Sequence, residues 1–163
     1  MFLNIITPCA RPQNLDAISK SINIPRDKYR WIVVFDLLKK PNLAIPENCE
    51  SYCFKEDCSK VGHAQRNFAL DLINLDHGHI YFNDDDTIIH PNLWGEIKDL
   101  EEDFVSFEQL NKDGSMRLKG DFVSIGHIDS HNFMVSGKCI NKTRFIVDRY
   151  DADGVFANEC HQK

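Results

Sequence analysis

The chain has 163 residues, of which 42% are hydrophobic and 27% are charged. This length suits one domain with its own core, which needs neither a disulfide nor a metal merely to fold. The net charge of −6, with only 19 basic residues, argues against nucleic acid as the main partner, because phosphate backbones need clustered Lys and Arg. An acidic protein of this kind can still bind a nucleotide if a divalent cation bridges the two negative partners.

The sequence gives no sign of export or of a membrane anchor. The first apolar segment, Phe2–Ile6, is too short for the core of a signal peptide and lacks a basic start. No run of about 18 apolar residues exists, so we expect no transmembrane segment and a cytoplasmic protein. The spacing of Cys49, Cys53 and Cys58 loosely suggests zinc, but no second ligand pair follows at a zinc-like distance, which favours reduced thiols.

The first half of the chain alternates predicted strands and helices. Apolar, β-branched runs predict the strands, and capping residues, Pro91 and helical spacing predict the helices. This alternation is typical of a mostly parallel sheet with helices on both faces, in which ligands bind beyond the carboxyl ends of the strands. The predicted strands are Phe2–Ile6, Trp31–Phe35, Ser51–Phe54 and His79–Phe82, and the predicted helices are Asn14–Ser21, Gly62–Asn74 and Asn92–Leu100.

The second half of the chain has a different pattern, with short predicted strands separated by turns at Asp113–Gly114 and Gly126. A helix is predicted to return at Ala152–Cys160. We expect these strands, which can be antiparallel, to cover one side of the crevice. They are Phe104–Phe107, Met116–Leu118, Asp121–Ile125 and Phe133–Val135.

Three consecutive carboxylates, Asp84, Asp85 and Asp86, follow the fourth predicted strand. They repel one another, and Mg²⁺ and Mn²⁺ take such hard oxygen ligands together with substrate phosphates. The alternative is a solvated acidic turn. Their position after an apolar strand, shortly before the helix that Pro91 opens, favours a metal site.

Other polar residues also stand at strand or helix ends. Thr7, Pro8 and Arg11 end the first strand, and Asp36 ends the second; each could equally belong to an ordinary loop or cap. Arg66 falls near the start of a helix, where helix dipole and guanidinium both attract phosphate, although it could simply be a solvated helix residue. These strand ends should converge on one crevice.

Taken in order, four segments resemble the GT-A glycosyltransferases, most closely the glucuronyltransferases of family GT43, with similarity to small family GT2 enzymes. They are TPCARP, YRWIVVFD, HAQRNFAL and IYFNDDD, and the later IDSHNFMV and YDADGVFANE are similar to the acceptor-side segments of that family. The resemblance implies a GT-A α/β fold, with a central, mostly parallel mixed sheet flanked by helices. It implies one domain over residues 1–163, in which about residues 1–100 bind the nucleotide sugar and about residues 101–163 face the acceptor.

The resemblance also implies roles for individual residues. Pro8 and Arg11 would line the nucleotide pocket, and Asp36 would contact uracil. The donor would contact Arg66, Asp84 and Asp85. The metal would be bound by Asp86 together with Asp84, and Asp129 would hold a sugar. The general base would be a carboxylate near the late helix, at Asp153 or Asp151.

This chain departs from the family where the base would lie. Family GT43 has Glu where Ala152 stands here between Asp151 and Asp153, so the choice of base stays open. Asp153 is favoured because it precedes Gly154 at a predicted helix start, and N-capping is the alternative for both carboxylates. GT43 also has a Tyr in its first loop, where this chain has Cys9 or Ala10. No family-like metal-ligating His is evident near the end of the chain, where His161 is a candidate substitute.

The sequence therefore predicts a metal-dependent glycosyltransferase that uses Mn²⁺ or Mg²⁺. It would move a sugar from a nucleotide-sugar donor, a UDP-sugar, to a carbohydrate or glycoconjugate hydroxyl, and a single base implies inversion. One alternative is a sugar-nucleotide pyrophosphorylase, although TPCARP lacks the Gly-rich loop expected there. The other is a degenerate GT-A domain that only binds a sugar or a partner.

Overall fold

The computed structural model describes residues 1–36, 41–54 and 62–162. Cys58, the third cysteine of the spaced run, lies outside these ranges, as does Val61 next to the predicted helix start. No helix in the described ranges is long and apolar enough to cross a bilayer.

The strands of the described chain are β1 (Leu3–Cys9), β2 (Tyr29–Phe35), β3 (Glu50–Cys53), β4 (His79–Phe82), β5 (Phe104–Ser106), β6 (Gln109–Leu110), β7 (Met116–Leu118) and β8 (Phe133–Ser136). The α-helices are α1 (Leu15–Ser21), α2 (His63–Asp71), α3 (Leu93–Ile97), α4 (Gly137–Ile140) and α5 (Ala152–His161). Short 3₁₀ turns occupy Pro12–Asn14, Arg26–Lys28 and Ser130–Asn132.

Six strands form one sheet in the order β3-β2-β1-β4-β8-β5, and β6 pairs with β7 in a separate hairpin. β3, β2, β1 and β4 run parallel, whereas β8 runs antiparallel to both β4 and β5. Because β8 is reversed, its beginning lies at the same edge of the sheet as the ends of the parallel strands. The predicted mostly parallel mixed sheet with helices on both faces is thus confirmed.

The core lies on both faces of the sheet because side chains alternate along each strand. On one face, Ile5 and Trp31 pack with α1 and α3, whose buried residues include Leu15 and Ile97. The other face carries a cluster of aromatic and aliphatic side chains beneath α2 and α5. Four aromatic rings fill it, namely Phe82, Phe133, Phe145 and Phe156.

The predicted strand Asp121–Ile125 is wrong, since the structure has turn and irregular chain there. The segment packs its backbone against a helix instead: a Cβ on Gly154 would lie 2.8 Å from Cα of Ile125. β1 is longer than predicted and runs on through Pro8 to Cys9. Pairing with β4 stops at Ile6, so proline's missing N–H falls where one side of β1 is no longer paired.

Candidate functional site

A cleft of about 270 Å³ opens at the carboxyl ends of the parallel strands. The loop after β1, the end of β2, the start of α2 and the loop after β4 all border it. Most of the strand-end residues singled out in the sequence therefore come together. The lining residues are Pro8, Cys9, Ala10, Arg11, Asp36, Gly62, Gln65, Arg66, Asp84 and Asp85.

Gly62 lets the start of α2 come close to the loop after β1. Its φ is +77°, a left-handed conformation that favours glycine. A Cβ at this position would lie 2.8 Å from Cβ of Pro8, closer than such atoms approach. The close approach places Arg66, one turn further along α2, against the residues that follow β4.

Asp85 ties the loop after β4 to the loop after β1. One carboxylate oxygen accepts from the backbone N–H groups of Ala10, at 2.7 Å, and Arg11, at 2.6 Å. The other accepts from Nε of Arg11 at 2.8 Å, and Asp85 is 3% exposed. Asp86 is exposed and pairs with the same guanidinium at 2.9 Å. Both carboxylate oxygens of Asp85 thus accept hydrogen bonds from the protein itself. This charge-assisted network orders the rim of the cleft.

We expect Asp85→Asn to lower the free energy of unfolding by about 1–2 kcal/mol, because it weakens charge-assisted hydrogen bonds to a buried oxygen. Asp86→Asn, at an exposed ion pair, should change it by less than about 0.5 kcal/mol. Urea unfolding of the two variants measures both effects. Equal effects at the two positions would show that Asp85 does not hold the loop after β4 to the loop after β1.

Arg66 is buried rather than solvated, with 2% of its surface exposed. Its guanidinium donates to Asp84 Oδ1 at 2.5 Å and to Ser130 Oγ at 3.0 Å, and it lies 3.1 Å from Nδ1 of His63. Burial opposes ionisation of Asp84, but the charges of Arg66 and His131 outweigh it and hold the pKa of Asp84 well below its ordinary value. Asp84 is therefore ionised at neutral pH, and Arg66 holds one of its two carboxylate oxygens.

The second oxygen of Asp84 faces a cluster that could hold a metal ion. Asp84, Asp129 and His131 each place one ligand atom within 4.8 Å of the others. Nδ1 of His131 lies 3.5 Å from Asp84 Oδ2 and 3.6 Å from Asp129 Oδ1. The reversal of β8 produces this meeting, because Asp129 and His131 precede β8 while Asp84 follows β4.

The residues of this cluster fit a divalent cation. Nδ1 of His131 is buried and has no hydrogen-bond partner in the described ranges, although it faces two carboxylate oxygens. Two ligand atoms in neighbouring positions around an octahedral ion are about 3 Å apart, close to the separations here. An imidazole nitrogen beside two carboxylates suits Mn²⁺ better than Mg²⁺, which prefers oxygen ligands alone.

Asp153, in the first turn of α5, lies beside this cluster. Its Oδ1 is 3.6 Å from Nδ1 of His63 and has no hydrogen-bond partner among the described residues. Burial raises the pKa of Asp153 to about 6; Arg66 opposes the rise, and the neighbouring carboxylates Asp129 and Asp84 add to it. Asp153 can therefore accept a proton near neutral pH.

Two predicted site residues, Thr7 and Asp151, do not line the cleft, whereas Asp36 does. Thr7 is buried within β1, where its hydroxyl accepts from Nε1 of Trp31 at 2.9 Å. Asp151 is half-buried and pairs with Arg149, whose hydrogen bonds lower the pKa of the carboxylate. Asp36 lies at the cleft and accepts from Nε2 of Gln65 at 3.0 Å.

Sequence reasoning missed His131 and His63. The histidines have no recognised metal spacing in the sequence, because the cluster joins Asp84 and His131, which are 47 positions apart. The available signal was the segment IDSHNFMV, where polar residues directly precede a buried strand. His63 stacks on Phe145 with ring centroids 5.4 Å apart, and burial followed by the charge of Arg66 lowers its pKa to about 4.

Known proteins were compared with the chain. No protein-family profile and no curated protein matches it. Among solved structures, Staphylococcus aureus TarS 1–349 matches with a TM-score of 0.78 and 15% identity, over 98% of this chain and 55% of that chain. The same protein in complex with UDP-GlcNAc gives a TM-score of 0.71 and 17% identity, over 98% and 53%.

A mannosyltransferase, PcManGT from Pyrobaculum calidifontis in complex with GDP-Man and Mn²⁺, matches with a TM-score of 0.67 and 14% identity, over 97% of this chain and 51% of that chain. The chain thus spans about half the length of the structures it matches. At these low identities the matches show the fold alone, and they do not point to family GT43 or family GT2. Together with the sheet order, they show that the chain has the GT-A glycosyltransferase fold.

Proposed function

We propose that the chain is a metal-dependent glycosyltransferase that moves a sugar from a nucleotide-sugar donor to a hydroxyl acceptor with inversion. The observation that carries the proposal is the cluster of Asp84, Asp129 and His131 beside Asp153, at the ligand-binding edge of a GT-A sheet. One candidate base and one cation site suit a single direct displacement, in which the acceptor oxygen attacks as the diphosphate leaves.

Each residue has a distinct task in this reaction. Asp84, Asp129 and His131 would hold the cation, which when bound supplies positive charge against the leaving diphosphate. Arg66 keeps Asp84 ionised and oriented through its 2.5 Å hydrogen bond. Asp153 takes the proton from the acceptor hydroxyl, for which a carboxyl pKa of about 6 is suited at neutral pH. We place the metal with Asp84 and His131 rather than Asp86, because Asp86 pairs with Arg11.

The donor we propose is a UDP-sugar. Two of the solved neighbours are described in complex with UDP and with UDP-GlcNAc, and a third with GDP-Man and Mn²⁺. In this chain Pro8 and Asp36 border the cleft, where Asp36 could accept from a base N–H. We propose Mn²⁺ as the cation, on the grounds of the imidazole ligand.

Calorimetry with UDP tests the proposal. We expect UDP to bind in Mn²⁺ at least about tenfold more tightly than with excess chelator, because an acidic site needs a cation to hold a diphosphate. Mg²⁺ should support weaker binding, and His131→Ala should remove most of the difference between the two metals. The matched control is His90→Ala, an exposed histidine on the loop after β4. Equal UDP affinity with and without chelator would contradict the proposal.

Two other functions are distinguished by assays with a UDP-sugar. A degenerate GT-A domain that only binds would hold UDP with Mn²⁺ but would not hydrolyse or transfer any UDP-sugar. A pyrophosphorylase would release UTP when pyrophosphate is added with a UDP-sugar. The presence of an ionised Asp84 and a poised Asp153 favours transfer over the binding module.

A further inference from the structure

Gln65 is a buried polar side chain in the first turn of α2, and it lines the cleft. Only 1% of its surface is exposed. Its Nε2 donates to Oδ1 of Asp36 at 3.0 Å, whereas its Oε1 is buried with no hydrogen-bond partner in the described ranges. A buried oxygen without a partner destabilises a fold. Packing alone therefore does not account for an amide at this position, and the hydrogen bond to Asp36 is the contact that a hydrocarbon side chain could not make.

The carboxylate of Asp36 determines how this amide is oriented. A carboxylate can only accept hydrogen bonds, so Gln65 must present its N–H groups to Asp36. The backbone N–H of Asp36 donates to the carbonyl of Cys9 at 3.0 Å, which holds the residue at the end of β2. Oδ1 of Asp36 is thus occupied, and no group among the described residues donates to Oδ2. Because Asp36 is exposed at the cleft, Oδ2 is the oxygen left for a ligand.

Uracil and guanine differ in what they present to such a carboxylate. Uracil has one ring N–H, which lies between two carbonyl oxygens. Guanine presents a ring N–H and an amino group side by side, and a carboxylate binds such a pair best with both of its oxygens. An aspartate with one oxygen already occupied can satisfy uracil, whereas the amino group of guanine stays without an acceptor. Leaving a polar group unpaired in a binding site is an effective way to reject the wrong ligand.

We propose that Gln65 is a positioning residue that sets the base preference of the donor site: it occupies one oxygen of Asp36, so that the other selects uracil over guanine. Asp36 contacts the base, and Gln65 acts through Asp36. The preference arises because guanine is denied a second acceptor, and it needs no additional contact to uracil. This inference rests on the proposed function, in which the donor is a UDP-sugar.

Gln65→Met tests the proposal, because it keeps the length of the side chain but removes the N–H groups that occupy Asp36. In saturating Mn²⁺, we expect the ratio of GDP affinity to UDP affinity to rise about tenfold or more, since a hydrogen bond to a charged oxygen becomes available to guanine. The variant should remain folded, because the unpaired Oε1 is removed as well. Calorimetry with each nucleotide and thermal unfolding measure these effects.

The matched control is Gln162→Met. Gln162 is exposed at the end of α5, where its Nε2 donates to Oδ1 of Asn158 at 3.3 Å, and it does not line the cleft. We expect this control to leave the affinities for UDP and GDP as they are in the wild type. A similar change of the ratio in both variants would contradict a specific effect of Gln65.

Asp36→Ala gives a test that does not depend on the folding of Gln65→Met, because Asp36 is exposed. We expect Asp36→Ala to remove most of the preference for UDP over GDP. In that background Gln65→Met should not change the ratio further, since a residue that acts through Asp36 has no effect without it. An unchanged preference in Asp36→Ala would overturn the inference. So would an effect of Gln65→Met that persists in the absence of Asp36.

The outcomes separate this inference from the proposed function. If wild type binds GDP as tightly as UDP in Mn²⁺, the inference fails while metal-dependent transfer stands. If Gln65→Met weakens both nucleotides by the same factor, Gln65 only supports the start of α2, and the inference is again overturned. Absence of UDP binding in the wild type would overturn both.

Discussion

Asp153→Asn is expected to lower sugar transfer by about 10²-fold or more and, at the same time, to make the protein more stable near pH 7. The loss of transfer follows from removing the proposed general base, because a general base usually contributes a factor of this size. The gain in stability follows because Asn resembles the protonated carboxyl, which the buried position favours. Burial is the main cause that raises the pKa of Asp153 from 3.8 to about 6.

The sign of the stability effect follows from linkage. Below the unfolded carboxyl pKa of 3.8, Asp153 is protonated in both states and the variant has no advantage. As the pH rises from there through about 6, the unfolded chain loses its proton before the folded one, so wild type loses stability. The loss reaches at most about 3 kcal/mol, since one pKa unit corresponds to about 1.4 kcal/mol.

Thermal unfolding with chelator, at a mildly acidic and at a neutral pH, measures this difference. Asp151→Asn is the matched control two residues away, because the more exposed carboxylate of Asp151 pairs with Arg149 and has a lowered pKa. It should not stabilise the protein at either pH. If Asp151→Asn rather than Asp153→Asn abolishes transfer, the base assignment moves to Asp151; if both variants transfer normally, Asp129 becomes the candidate.

Arg66→Met is expected to lower the free energy of unfolding by about 3–5 kcal/mol, because it breaks the ion pair of a buried guanidinium and leaves the half-buried carboxylate of Asp84 without its partner. The destabilisation should shrink as the pH falls, because Asp84 can then take up a proton. Wild type changes in the other direction and becomes less stable as the pH falls. The lowered pKa of Asp84 contributes stability at neutral pH, and acidification removes this contribution. Denaturant unfolding over a range of pH measures both trends.

Arg30→Met is the control for this substitution. Arg30 forms a two-point pair with Glu50, at 2.8 and 2.7 Å, but in a more exposed setting. We expect it to cost about 1 kcal/mol, as exposed ion pairs do. Similar losses for the two variants would mean that Arg66 is no more important to the fold than a surface arginine.

The sequence predicted the fold well because β1, β2 and β4 are apolar runs, and helices lie between them in the chain. The separate roles of Asp84, Asp85 and Asp86 could not be assigned from the sequence, since three identical carboxylates differ only in the groups that surround them in space. Asp85 meets backbone N–H groups of the loop after β1, whereas Asp84 meets Arg66. Local pattern holds no information on such partners.

The burial of Arg66 could not be predicted from the sequence either. An arginine in the first turn of an amphipathic helix is usually solvated, and no neighbour in sequence signals otherwise. Its burial depends on Asp84, Ser130 and the ring of Phe145, which lies 5.5 Å from the guanidinium carbon. These partners come from three later parts of the chain, so the position of Arg66 emerges only from the tertiary fold.

The reversed position of β8 also has a consequence for how the protein folds during synthesis. β5 lies at the edge of the sheet and pairs with β8 alone among the described strands, yet it precedes β8 in the chain. While the chain grows, β5 leaves the ribosome before β8, the strand with which it pairs. Such non-local pairing slows folding and leaves edges open in the meantime. The first four strands can assemble early, whereas two of the three residues of the cation cluster, Asp129 and His131, join them only when β8 pairs with β4.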